Sequence, residues 1–379
     1  MRFGFVVLNE LFGIHTDIDY HIYTEAAQHA VDPTSLNPYN RYTYRYTPLL
    51  AYIMLPNLVW APFGKVLFNI FDLAAIYLMK KYMNKLDWLE GKKANTYLNF
   101  WIFNVYMIYI NGRGSCESIS LFLLVLTLYQ LKVYITPGRA GGRQRALFIA
   151  ALAYGMLVHF RLYPILFGFS VVLYINKGRI LPTVDLFKFF FYSASLFIGL
   201  FVVFRIVYGE VFAYEWALYH LVRKDPRHSQ SVFWMRTMYN SGSEGEKAPI
   251  NTITLVFRIA LIILIAFKYK RNIIYAIFLQ TMVFTIFNTV YTAQYAIWEI
   301  QMFPLMFTQS SLPNNKVRLG ILLALWYAFM EASVICGGLY EGQGKNTLYI
   351  MHWLNIAYMG FRVLAVAFIM AHAKPRSDF

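Results

Sequence analysis

The sequence predicts an all-α polytopic membrane protein, a bundle of about 12 transmembrane helices with interfacial helices between them. Three observations predict it. Of 379 residues, 59% are hydrophobic and only 14% charged, whereas a soluble domain carries roughly 25% charged residues. Apolar stretches recur along nearly the whole chain, separated by short polar knots. These stretches are too long for barrel strands, and in lipid only helices or closed barrels satisfy the backbone. A soluble enzyme, a disordered chain and a single-anchor protein with a folded ectodomain are thereby excluded. The net charge of +15 would point to nucleic acid in a soluble protein. Here the basic residues lie in loops between spans and act as topology signals, so no nucleic-acid partner is expected. With two cysteines, Cys116 and Cys336, neither a disulfide scaffold nor a Cys-based metal cluster is available. The first apolar run has no small-residue cleavage site after it, so no cleavable signal peptide is expected, and no N-x-S/T sequon occurs.

Taking about 20 residues per span, hydropathy places spans near 2–14, 64–80, 95–111, 118–136, 146–160, 164–176, 186–208, 250–267, 272–290, 296–311, 319–338 and 347–372. The run at 46–62 is also apolar, but Pro48, Pro56 and Pro62 interrupt it, so an interfacial or re-entrant helix is expected there. Charge supports that choice. If 46–62 does not cross, the basic knots at Lys80–Lys93, Arg139–Arg145, Lys177–Arg179, Lys268–Arg271, Lys316–Arg318 and Lys374–Arg376 share one side. The positive-inside rule makes that side cytosolic, together with both termini. The opposite, lumenal face then holds two long segments, 15–63 and 209–249, and short turns around 112–117, 159–163, 291–295 and 339–346. Basic residues on that face run against the topology rule, and an anionic ligand would explain them.

Five constellations carry chemistry. In "HTDIDYHIY", Asp17 and Asp19 share a face only in an extended segment, since on a helix they diverge by about 200°. They suit general-base activation of a hydroxyl or cation binding; alternatively Asp19 caps a helix through Tyr20–Ala30. In "RYTYRYTPLL", Arg41 and Arg45 stand among Tyr42, Tyr44 and Tyr46. That pattern is either an interfacial belt or a guanidinium fork for phosphate with aromatic walls for a sugar or lipid. "YHLVRKDPRHSQS" carries His220, Arg223, Lys224, Asp225, Arg227 and His228, with a solvated loop as the plain alternative. "HFRLYP" places His159 and Arg161 at a span end, where snorkelling also accounts for the arginine. "LYEGQGKNT" offers Gln343, Lys345 and Asn346 in a Gly-rich turn that lacks nucleotide-loop spacing, and an ordinary tight turn is the alternative. No Ser–His–Asp order with elbow glycines, His-x-x-x-His pair or dinucleotide fingerprint occurs, so no soluble nucleotide cofactor is indicated. Asp72, Arg258, Glu331 and Arg362 fall inside spans, as functional groups or as partners of one another.

Taken together these strings resemble one family, the catalytic subunit of the first GPI mannosyltransferase (PIG-M), an endoplasmic-reticulum enzyme of the GT-C class. The resemblance is carried by "TDIDYHIYTEAA" (16–27), "YRYTPLL" (44–50), "GRG" followed by "ES" (112–118), "VHFRLYP" (158–164), "YHLVRKDPRH" (219–228), "FNTVYTAQY" (287–295) and "GQGKNT" (342–347). They stand in family order and cover nearly the whole chain. The sequence departs from the pattern in four places. Its first span is short and starts almost at Met1. "RGSCES" stands where the family has an Asn and an Asp, affecting Ser115 and Glu117. Thr289 replaces an expected Lys, and Glu299 is unusual.

The resemblance implies a GT-C-like bundle in the endoplasmic-reticulum membrane, with a lumenal active site and cytosolic termini. It implies transfer of mannose from dolichyl-phosphate mannose to the glucosamine of glucosaminyl-phosphatidylinositol, forming an α1,4 linkage. A β-linked donor and an α-linked product mean single displacement with inversion. Asp19 is then the base and Asp17 the residue that orients the acceptor, with the roles exchangeable. Arg41, Arg45, Arg113, His159, Arg161, Arg223, Arg227, His228 and Lys345 are expected to serve the substrate phosphates. Tyr44, Tyr46, Glu117, His220, Asp225, Gln294, Tyr295, Gln343 and Asn346 are expected around the pocket. No resident metal or cofactor is required for the chemical step, a divalent cation being the alternative. The expected partners are the two lipid-linked substrates, membrane lipid and a small stabilising membrane subunit with a lumenal domain. Two rivals stand beside this reading. One is another dolichol-dependent GT-C glycosyltransferase. The other is a lipid or anion transporter, which would place polar groups near the membrane midplane and often show an internal repeat.

Overall fold

A computed structural model describes residues 2–13, 16–179, 182–222, 229–235, 238, 249–292, 294–373 and 375–377. Among them the regular structure is helical, and the only extended pairing is an isolated bridge between Ser310 and Ala373. Among the described residues, four helices suffice by length and composition to cross a bilayer: Glu117–Ile135, Val184–Leu218, Lys316–Gln343 and Leu348–Ala371. Every other expected span also contains helix, but several come in pieces. The 95–111 run divides into Gly91–Ile102 and Val105–Gly112, because Asn104 leaves the helix and its side chain accepts from Met107 N. Such a cap restarts a helix, and a hydropathy window averages across it. The 296–311 run likewise divides into Tyr295–Ile300 and Phe303–Phe307, with Pro304 in the first turn of the second piece.

The interrupted run at 46–62 forms the six-residue helix Pro48–Ile53 and the 3-10 turn Leu55–Leu58. Thr47 caps the helix by accepting from Leu49 N, and Pro48 occupies the first position, where its missing N–H is harmless. Six residues rise about 9 Å against a hydrocarbon core of about 30 Å, so no spanning helix forms here. Asn57 ties this piece down. Its side chain accepts from Tyr20 Oη (2.7 Å) and Gly64 N (3.0 Å) and donates to Thr24 Oγ1 (2.6 Å).

The chain divides into two compact units, one of Met1–Ile165 and Arg179–Arg223, the other of Leu166–Gly178 and Lys224–Asp378. In the first, helices Phe63–Met83, Glu117–Ile135, Ala140–Phe160 and Val184–Ala213 pack in chain order. Gly155 permits the last contact, since a Cβ there would sit 2.5 Å from Ser193 O. Gly209 (φ 68°, ψ −153°) breaks the Val184–Ala213 helix. A π-helical turn, Tyr214–Leu218, follows and returns the Trp216 indole to His159 O (3.1 Å). Such turns mark functional positions in many helices.

The charges expected inside spans do not pair with one another. Asp72 is held by Arg2 (3.0 Å) and by the Trp101 indole N–H (2.8 Å). In the second unit Arg362 pairs with Glu299 and donates to Thr285 Oγ1 (2.7 Å), its guanidinium lying 4.4 Å from the Tyr291 ring. Glu299, unusual by the family pattern, is thus explained by Arg362. Arg258 reaches Asn288 Oδ1 (3.2 Å), and Glu331 is exposed. Each partner lies on a different element, and hydropathy gives no information about which helices adjoin. Also in the second unit, residues 229–231 form a buried strap. Gln230 donates to Met330 O and Tyr291 O, both at 2.8 Å, and Asn355 donates to Ser229 O at 2.8 Å.

Candidate active site

The first of the paired carboxylates starts a helix. Asp17 is extended (φ −65°, ψ 140°), precedes helix Ile18–Val31, and accepts from Asp19 N at 3.2 Å. The cap therefore falls on Asp17, not on Asp19 as the capping alternative has it; the helix begins two residues earlier because Ile18 is already helical. Asp17 is 1% exposed. Its carboxylate lies 3.4 Å from Arg113 Nη2, and its own N–H donates to Arg113 O at 3.0 Å. Gly114 makes this close approach feasible. It has φ +99°, and a Cβ there would lie 2.2 Å from the Tyr20 ring, so only glycine fits.

Asp19 stands in the first helical turn and is half-buried. Its Oδ2 accepts from Tyr46 Oη at 3.0 Å. Tyr46 is gripped on two sides: the Tyr23 ring meets it edge-on at 4.8 Å, and the Arg161 guanidinium lies over its face at 4.7 Å. Arg161 is paired with Glu117, and its Nη2 lies 3.5 Å from Cys116 Sγ, which in turn lies 3.3 Å from Tyr23 Oη. Burial holds the Tyr46 phenol well above its ordinary pKa, and the Asp19 charge adds to this. Burial likewise pushes the Cys116 thiol up to about 12. Both stay protonated at neutral pH. For Arg161, burial works against the charge, but the Glu117 carboxylate more than offsets it.

Several other residues expected at the site lie in the first unit. Arg45 pairs with Glu215 and lies over the Tyr219 ring at 4.0 Å, while His220 Nε2 is 3.4 Å from Arg45 O. Arg41 pairs with Glu25. Tyr44 is fully buried and donates to Thr47 O at 2.7 Å. His159 Nε2 lies 2.9 Å from Thr47 Oγ1, and its ring packs between Phe204 and Trp216. So Arg41, Arg45, Arg113 and Arg161 each stand beside a carboxylate, whereas the sequence reading treats them as open forks for phosphate. That reading did not single out Glu25, Glu215, Tyr23, Cys116, Thr47 and Trp216.

In the second unit, Gln294 precedes helix Tyr295–Ile300, and Tyr295 stacks on Trp298 at 4.5 Å. Gln343 ends the long helix Lys316–Gln343, and Gly344 (φ 63°) turns left-handed as Lys345 N donates to Leu339 O at 3.2 Å. "GQGKNT" is thus a helix C-cap of the usual glycine kind, with Gln343, Lys345 and Asn346 exposed. Arg223, Asp225, Arg227 and His228 lie outside the described residues.

What the arrangement can do follows from the two carboxylates' different surroundings. Asp17 is committed to a helix start and a guanidinium. Asp19 is half-exposed and oriented by a phenol, a setting suited to accepting a proton from a hydroxyl.

Residues 110–370 match the family model described as Mannosyltransferase (PIG-M). A GPI mannosyltransferase 1 of Dictyostelium discoideum is 31% identical over 352 residues, covering 82% of this chain and 75% of its own. The GPI alpha-1,4-mannosyltransferase I catalytic subunit of Danio rerio is 30% identical over 375 residues, 95% of this chain and 90% of its own. A GPI mannosyltransferase 1 of Saccharomyces cerevisiae is 29% identical over 373 residues, 92% and 87%.

Proposed function

The chain belongs to the PIG-M mannosyltransferase family, a membrane-embedded glycosyltransferase family. On that premise we propose that it transfers mannose from dolichyl-phosphate mannose to the glucosamine of glucosaminyl-phosphatidylinositol at the lumenal face of the endoplasmic reticulum. The α1,4 linkage follows the name of the Danio rerio relative, and a β-linked donor then requires inversion in one displacement. Asp19 takes the proton from the acceptor hydroxyl as it attacks the anomeric carbon. The observation that carries this assignment is the contrast between half-exposed Asp19 on Tyr46 and Asp17, buried in its cap beside Arg113. Dolichyl phosphate leaves as a stable anion, so it needs charge stabilisation more than a general acid, and Arg45 and Arg113 of the first unit are assigned to supply it. The test is complementation of cells lacking the first GPI mannosyltransferase. Surface GPI proteins should return and accumulated glucosaminyl lipid should disappear. Persistence of that lipid would move the reading to another dolichol-dependent glycosyltransferase.

Orientation gives a second expected result. Engineered sequons in 15–45 and 209–249 should be glycosylated, whereas those in 80–93 and after Ala373 should not. Glycosylation at 80–93 would mean that 46–62 crosses the membrane.

Metal dependence gives a third. The donor carries one phosphate, not a diphosphate, and Asp17 already faces a guanidinium. Turnover by purified enzyme should therefore survive chelation. Loss in chelator that manganese or magnesium restores would overturn this.

A further inference from the structure

We propose that Tyr46 is the positioning residue for Asp19, and that the Glu117–Arg161 pair acts through Tyr46 instead of binding substrate phosphate. This rests on the reading of Asp19 as base. The contacts form a continuous chain across four elements. Glu117 opens helix Glu117–Ile135 and pairs with Arg161. Arg161 follows helix Ala140–Phe160 and spreads over the Tyr46 face at 4.7 Å. Tyr46 precedes the Pro48–Ile53 helix and donates to Asp19 Oδ2 at 3.0 Å. Tyr23, one turn beyond Asp19 on the same helix, closes the far edge of the Tyr46 ring at 4.8 Å.

Each link has a physical reason. A phenol has a single donor, so its direction is set by where the ring is held. Here a cation on the face and a ring on the edge hold it. Glu117 is 3% exposed, which fits a buried ion pair whose partner is fixed better than a group facing an entering sugar. A planar, delocalised guanidinium stacks on a ring as an ammonium does not.

The consequence concerns ionisation. A hydrogen bond donated to a carboxylate favours its charged form, which is the form a base needs. Among the described residues, the groups facing Asp19 include Tyr46 and Tyr23, then Cys116, Arg161 and Glu117 behind them, with Asp17 and Arg113 at the helix start. Removing the Tyr46 hydroxyl takes away this donor and leaves the other groups in place.

The test is the pH profile of turnover at saturating donor and acceptor for the full chain in microsomes, comparing Tyr46→Phe with the parent. The acid limb should move to higher pH by about one unit, since one unit corresponds to the loss of a single hydrogen bond to a charged group. Plateau turnover at matched abundance should fall about 10-fold, because a carboxylate no longer held by the phenol is misplaced for the acceptor hydroxyl, and the acceptor KM should stay within a factor of about two. Each profile is normalised to its own plateau, so lost protein cannot imitate the shift. An unmoved limb, or a loss confined to acceptor KM, would overturn the proposal and make Tyr46 a pocket wall. Arg161→Lys keeps a cation for Glu117 but not the stacked plane. It should move the limb the same way by less; a rise in donor KM with no movement would instead make Arg161 a phosphate group. If Asp19→Asn kept full turnover, the reading of the site would fail, a result distinct from an unmoved limb in an enzyme that needs Asp19.

Discussion

Asp19→Asn is expected to lower turnover by about 10²–10⁴-fold at matched abundance, the usual loss for a missing general base. The amide keeps the shape of the carboxylate and can still accept from Tyr46 Oη, so the helix start should survive. It cannot take the acceptor's proton. Asp17 should behave differently, because its side chain caps helix Ile18–Val31 and faces Arg113. Asp17→Asn keeps the capping oxygen, and Asn caps as well as Asp, so its loss should come from the Arg113 contact. Asp17→Ala should remove about 1 kcal/mol of helix-start stability besides. The measurement is turnover and acceptor affinity for each variant in microsomes. Near-normal turnover in Asp19→Asn with loss in Asp17→Asn would transfer the base to Asp17. Activity in both would reduce the motif to a cap.

Arg362→Met is expected to produce the largest loss of stability, on the order of 3–5 kcal/mol. Glu299 is completely buried and Arg362 is 2% exposed, so removing the guanidinium strands a carboxylate with only Thr285 and the Tyr291 region around it. A lone buried charge is penalised far more than an absent pair. Arg362→Met with Glu299→Leu should therefore recover most of the abundance. Thermal unfolding of detergent-solubilised protein, followed by size exclusion, reads this directly. Equal loss in the single and double variants would mean that the stability comes from Arg362's contacts with Thr285 and Tyr291 and not from neutralising Glu299.

Much of the site could be read from residue strings, though not its wiring. Asp17, Asp19, Tyr46, Arg161 and Glu117 are all visible as polar groups at span ends. Sequence spacing even raises the cap, but assigns it to Asp19, because i and i+2 alone do not say where helical dihedrals begin. The arginines look like open forks for the same reason. Glu25, Glu215 and Glu117 lie 16, 170 and 44 positions from Arg41, Arg45 and Arg161, and no local pattern links them.

By itself the sequence determined that this is a helical membrane protein, which runs are apolar, that prolines deny 46–62 a long helix, and which family strings it carries. These are local properties: transfer energy accumulates over about 20 neighbouring residues, and proline acts on its own backbone and the residue before it. Only the tertiary structure decided that Asp17 is buried while Asp19 is half-exposed, that Tyr46 points its hydroxyl at Asp19, and that Glu299 answers Arg362. Those outcomes depend on which helices adjoin and at what rotation, and pairing energies in a buried setting arise between groups that packing brings within about 4 Å. Packing is a property of the whole chain, so no window of its sequence contains it.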